Sequence, residues 1–182
     1  MISIDYLIQE EIIDQDNEIC VIVENSNDLM LKWFIINLYN EDLNIWPKRI
    51  QGEDEYVIYD VNSYKKSIKI NIEYSKVIIA FITNKFCKSE LCIDCMDHSR
   101  RLNKPLIALI VEEIENYDEL KDTILMGCNF YCEIYKARFY STGFDYFLWI
   151  SDYFESIIGT LEELLDRDIV SYYEHLHKYK LN

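Results

Sequence analysis

The densest run of potentially reactive side chains is Cys87, Cys92, Cys95 and His98. Its C-x4-C-x2-C spacing matches part of a plant-type iron–sulfur pattern. On a helix, positions 92, 95 and 98 share a face, as a zinc set needs. Cys128 and Cys132 could supply a further ligand, but nothing in the sequence fixes their distance. Against a metal stands the ordinary behaviour of cysteine, one of the most buried residue types, so the expectation is no metal site. As a nucleophile Cys95 needs a base, and the only nearby histidine is His98 with no Asp partner readable; a packed thiol is the plainer reading. His175 and His177 would point about 200° apart on a helix and read as solvated. Four glycines in the whole chain leave no room for a phosphate-cradling P-loop or a G-x-G-x-x-G turn.

The elements that must position these residues read as alternating strands and helices. Ile19-Cys20-Val21-Ile22-Val23 is a short apolar run followed by the polar stretch Asn25-Ser26-Asn27-Asp28, which suits a doubly buried strand and a helix cap. Helical spacing follows over 29–39, then a short strand over 43–46 stopped by Pro47. Residues 51–62 are polar and read as a long loop, a place where function tends to sit. Over 64–74 the apolar positions fit both periods, and the wider context favours a helix. The runs 77–82 and 106–111 are the clearest buried strands, and residues 89–102 between them are long enough for a helical crossover. An acidic helix near 117–125, a strand near 130–135 and a helix from Asp145 follow. Gly159 is expected to break that helix, and Thr160-Leu161-Glu162-Glu163 has the form of a capping box that would start a last amphipathic helix over 159–182. The order predicts a flavodoxin-like α/β fold: a five-stranded parallel sheet with helices on both faces, spanning 18–158 after an N-terminal extension, 1–17.

A chain of 182 residues, half of them apolar and with few Gly and Pro, is sized for one packed domain. Its formal charge of −15 repels phosphate backbones and anionic lipid headgroups, so neither nucleic acid nor membrane is an expected partner. The one tight basic cluster, Arg100-Arg101 with Lys104, is too small to reverse that field. The first basic residue is Lys32, so the opening stretch lacks the basic residues of a signal or transit peptide, and no apolar run reaches the ~20 residues of a membrane span. The six cysteines are then expected as reduced thiols in the cytoplasm.

Read in order, several motifs in 18–158 resemble the Toll/interleukin-receptor (TIR) homology domain. They are the first strand Cys20–Val23 with the polar loop from Glu24 to Asp28, and the hydrophobic-Trp pair Ile45-Trp46. The loop 52–60 stands where that family has its partner-contacting BB loop. Ile72-Glu73-Tyr74-Ser75 leads into the strand at Val77. Ser89-Glu90-Leu91-Cys92 matches an S-x-W-C box, and Asn103-Lys104-Pro105 approaches the fourth strand. The resemblance implies intracellular signalling of the innate-immune kind, by homotypic or heterotypic contacts with TIR-like domains or by self-association through 52–60. It also implies a ligand cleft near Asn25, Trp46, Gly52 and Tyr56, with NAD as the substrate or ligand and no other cofactor.

The departures bear on activity. Catalytic members cleave the nicotinamide–ribose bond of NAD with a Glu four residues after the Trp of the box, and Cys95 occupies that place here. A neutral thiol is a poor substitute for a carboxylate facing an oxocarbenium-like charge. Lys48 stands where an acidic residue is common, and the usual Pro-Gly of the BB loop is missing. The favoured expectation is therefore an assembly module. The alternatives are an NAD+ nucleosidase (glycohydrolase) whose carboxylate comes from Asp94 or Glu90, and a sensor that binds an NAD-like nucleotide without turnover. The charge excess would slow self-association, so a basic partner or a neutralising ligand is expected.

Overall fold

The computed structural model describes residues 17–24, 37–38, 43–46, 65, 67–136 and 144–168, with side chains of the last stretch from 153 onward. Outside these lie the expected extension up to residue 16, most of the 29–39 helix and the 51–62 loop. Asn25, Lys48, Gly52 and Tyr56 also fall there, as do His175 and His177.

Strands β1 (Ile19–Val23), β2 (Ile45–Trp46), β3 (Val77–Ile82), β4 (Leu106–Ile110) and β5 (Phe130–Cys132) form one parallel sheet in the order β2-β1-β3-β4-β5. This is the flavodoxin-like arrangement that the alternating pattern predicts. The helices are α1 (Ile68–Tyr74), α2 (Asn84–Lys88), α3 (Glu90–Arg101), α4 (Tyr117–Thr123) and α5 (Phe144–Leu165), with a single 3-10 turn at Ile134–Lys136. No helix among the described residues is long and apolar enough to cross a membrane.

Every residue of β1, β3 and β4 is buried, and successive residues alternate between two cores. Val77, Ile79 and Phe81 join Ile107, Leu109 and the α5 side chains Phe154, Ile157, Leu161 and Leu165. Ile78, Ala80 and Ile82 join Ala108 and the side chains of α1 to α4, including Ile72, Phe86, Cys95 and Leu120. The ambiguous stretch before β3 is helical because Ile68 and Ile72, four apart, both reach this second core.

The helix expected over 89–102 is α3, preceded by the short α2; Ser89 ends α2 and its hydroxyl accepts the Cys92 amide to start α3. Three expectations need correction. Strand β5 stops at Cys132 instead of reaching 135. Helix α5 runs unbroken through Gly159. The expected capping box is unused: Thr160 Oγ1 donates to the Ser156 carbonyl within the helix. A mid-helix glycine costs about 1 kcal/mol against alanine, and the burial of Ile157, Leu161 and Leu165 on the sheet outweighs it.

The base of the sheet is tied by Glu18. Its carboxylate accepts from Arg167 Nε at 2.9 Å and Arg167 Nη2 at 2.6 Å, and from the Asn44 amide at 3.3 Å. Its carbonyl accepts from the amides of Lys76 and Val77. One residue thus joins the starts of β1, β2 and β3 to the end of α5. The Arg167 hydrogen bonds hold the Glu18 carboxyl below its usual pKa, against desolvation. Its contribution is complete above the unfolded pKa of about 4.3 and is lost as pH falls through the lower folded value. Arg167→Ala is expected to cost about 1–3 kcal/mol at neutral pH. Urea melts of both proteins should show that difference closing below about pH 4.

Candidate functional site

In an open parallel sheet, ligands collect outside the carboxyl ends of the strands, where the strand order reverses. Here that point lies between β1 and β3. Glu24 directly follows β1, and its Oε2 is buried without a hydrogen-bond partner. Across from it, Thr83 follows β3 and accepts the Phe86 amide at 3.0 Å to cap α2. Asn84 clamps the neighbouring loop: its amide donates to Glu112 Oε1, its Nδ2 donates to the Glu113 carbonyl, and its Oδ1 accepts the Glu115 amide. Thr83 and Asn84 are thus engaged within the fold, and Glu24 Oε2 is the buried oxygen left without a partner. In the sequence Glu24 figured only as the start of the polar loop Glu24 to Asp28, with no role given to its carboxylate. The available signal was a carboxylate closing an all-apolar strand run.

Helix α3 carries the residues that the family resemblance brings forward, and the fold separates them. Cys95 is 0% exposed and packs in the core beneath α3. The same core holds Cys20 of β1 and the in-register pair Ala80 and Ala108. Burial pushes the Cys95 thiol up to about 12, with Cys92 adding to the shift. Asp94 instead sits at the surface between α1 and α3. It meets Lys69 Nζ at 2.5 Å and Arg101 Nη2 at 3.8 Å, and the Lys69 hydrogen bond lowers its pKa. Glu90 is exposed in the first turn of α3. Trp46 is only 2% exposed and packs in the same core as Ile68 and Ile72.

The cysteine–histidine run is also dispersed. Cys92 and Cys95 face the core, Cys87 is half-buried on α2, and His98 Nε2 lies 3.3 Å from Glu73 Oε1. Among the described residues no group of three or more His, Cys, Asp or Glu side chains is arranged to hold a metal ion. All six cysteines are unbridged. Burial raises Cys87 to about 11 and Cys132 to about 12, and raises Cys20 and Cys128 as well.

A groove of about 540 Å3 lies between α2, α3, α4 and the loop before α4. Buried Met96, Leu120 and Ile124 line it, and Ile93 and Met126 stand on it 37% and 64% exposed. Arg100 fixes its two walls. Nη1 pairs with Asp97 at 2.7 Å, while Nε and Nη2 donate to the carbonyls of Met126 and Thr123 at 3.1 and 3.0 Å. The basic cluster read from the sequence is thus spent internally, since Lys104 Nζ likewise donates to the Glu73 and Ser75 carbonyls.

Two outcomes follow from the buried thiols. Cys95→Glu, which restores the carboxylate of the family pattern, should destabilise the fold by about 3–5 kcal/mol because the charge has no buried partner; a melting temperature equal to wild type would contradict the packing described. Unfolded thiols ionise near pH 8.5, before the folded ones, so the unfolded state binds fewer protons and stability falls as pH rises above about 8.5. Chemical denaturation at pH 7 and pH 10 measures that slope.

The sequence matches no protein-family model, and no curated protein matches it.

Proposed function

We propose that this chain is a TIR-like assembly domain that works in the cytoplasm through domain contacts, without turning NAD over. The observation that carries this reading is the burial of Cys95 where catalytic members of that family have their Glu. The helix that would present the catalytic carboxylate instead turns this position into the core that also holds Cys20 and Ile72. Asp94, the nearest replacement, is engaged by two cations. The sheet order and the ordered motifs from Cys20 to Ile107 support the resemblance. The unbridged thiols suit a reducing compartment. Partners would be other TIR-like domains, with residues 52–60 as the contact loop.

One observation favours the NAD-cleaving alternative: the unpartnered carboxylate oxygen of Glu24 at the β1/β3 edge. A carboxylate held there could face a ribose or the charge that develops on it.

Incubating concentrated protein with NAD and following nicotinamide by chromatography separates the two. No release is expected. Release that is lost in Glu24→Gln, or in the Asp94→Ala/Glu90→Ala double variant, would overturn the assembly reading and identify the displaced carboxylate.

A further inference from the structure

We infer that the groove between α3 and α4 is a docking site for a short basic amphipathic segment of a partner protein. The inference deepens the assembly reading and rests on it, but its physical basis is separate from the NAD question.

The groove combines an apolar floor with an acidic margin. Met96, Leu120 and Ile124 form the floor, and Ile93 and Met126 remain exposed beside it. Two of these five are methionines, whose unbranched thioethers adapt to varied apolar partners. Helix α3 has 12 residues, a length of about 18 Å, so the groove matches about three turns of a helix laid alongside. A helix docked this way presents apolar anchors at i, i+3 or i+4, and i+7.

Charge selects the sign of the occupant. The groove holds the acidic residues Asp97, Glu115, Glu119 and Asp122 against the cations Lys88 and Arg100. Both cations are committed. Lys88 pairs with Glu115 at 2.8 Å, and Arg100 pairs with Asp97 while capping the end of α4. Glu119 and Asp122, three residues apart on one side of α4, have no cation opposite them among the described ion pairs; Glu119 Oε2 accepts a hydrogen bond from Asn116 Nδ2 at 2.7 Å. A lysine- or arginine-bearing segment would supply that cation. A second copy of this chain, at −15 overall, would add repulsion. The walls are held in place by the Arg100 hydrogen bonds and by the Asn84 clamp on the preceding loop. Docking therefore needs little ordering of the receptor.

The test uses the full chain and two synthetic 14-residue amphipathic peptides, one with Leu and Lys and one with Leu and Glu. Fluorescence anisotropy at 50 mM and 300 mM salt reports affinity. The Lys peptide is expected to bind and the Glu peptide not to, with binding weakened by salt. Ile93→Ala/Met126→Ala, both at exposed positions, should weaken the Lys peptide about 10-fold through lost apolar contact. Glu119→Gln/Asp122→Asn should weaken it about 5-fold at low salt and flatten the salt dependence. Hydrogen exchange on the wild-type complex should show protection over 93–100 and 117–126, a readout that does not depend on any variant folding. Failure of the Lys peptide to bind overturns the inference. So do equal binding of the Glu peptide, protection elsewhere, and unchanged affinity in folded variants. Self-association of the chain that is lost in Ile93→Ala/Met126→Ala would also overturn it, by making a second copy the occupant. Nicotinamide release from NAD would sink the assembly reading while leaving the peptide result to stand or fall alone.

Discussion

The architecture depends on β3 and β4 being buried on both faces. Their adjacent residues point to opposite sides, and from Val77 to Ile82 none is exposed. Neither face can be left to water, so helices must cover both. The sequence meets this with α5 on one side and α1 to α4 on the other. A parallel sheet needs a crossover for every pair of neighbouring strands, and helical crossovers supply those layers. The open region is then the edge where the strands end, and Glu24 and Thr83 directly follow β1 and β3 there.

The same constraint fixes what α3 can do. Cys92, Cys95 and Met96 lie on the buried side of α3 and join the core that also holds Ala80 and Ala108. Packing density, more than chemistry, accounts for the two thiols. Once the buried face is set, the helical rotation of about 100° per residue puts Asp94 toward α1 and Lys69. Ile93 and Asp97 fall toward the groove. One helix thus separates a core face, an ion-paired face and an accessible face.

Charge acts at two levels. Locally, acids are matched: Glu18 by Arg167, Asp94 by Lys69, Asp97 by Arg100 and Glu115 by Lys88. The Glu18 pair is mostly shielded and joins four chain segments, so its geometry is defined by the fold. The exposed pairs contribute little each. Globally, the excess of acid persists as a long-range field, and its effect falls on the choice and rate of association of partners rather than on the fold.

The sequence by itself determined the alternation of strands and helices, and with it a five-stranded parallel sheet of flavodoxin-like kind. Runs such as Val77–Ile82 and Leu106–Ile110 are too continuously apolar for anything but a doubly covered sheet, and their spacing leaves room only for helical crossovers. It determined the charge excess, and the motifs of the family resemblance are local strings readable without coordinates. Tertiary structure decided the rest, because the deciding contacts join residues far apart in the chain. Gly159 looked like a break until the sheet face beneath α5 stabilised the helix across it. Which of Cys92, Cys95 and His98 would face the core was decided by the packing of α3, which buries the two cysteines. Glu18 and Arg167, 149 positions apart, meet only after the sheet has closed the chain on itself. Glu24 and the groove carried no local signal strong enough to stand out, since an unpartnered carboxylate and an uncovered apolar floor are properties of surroundings and not of residue types.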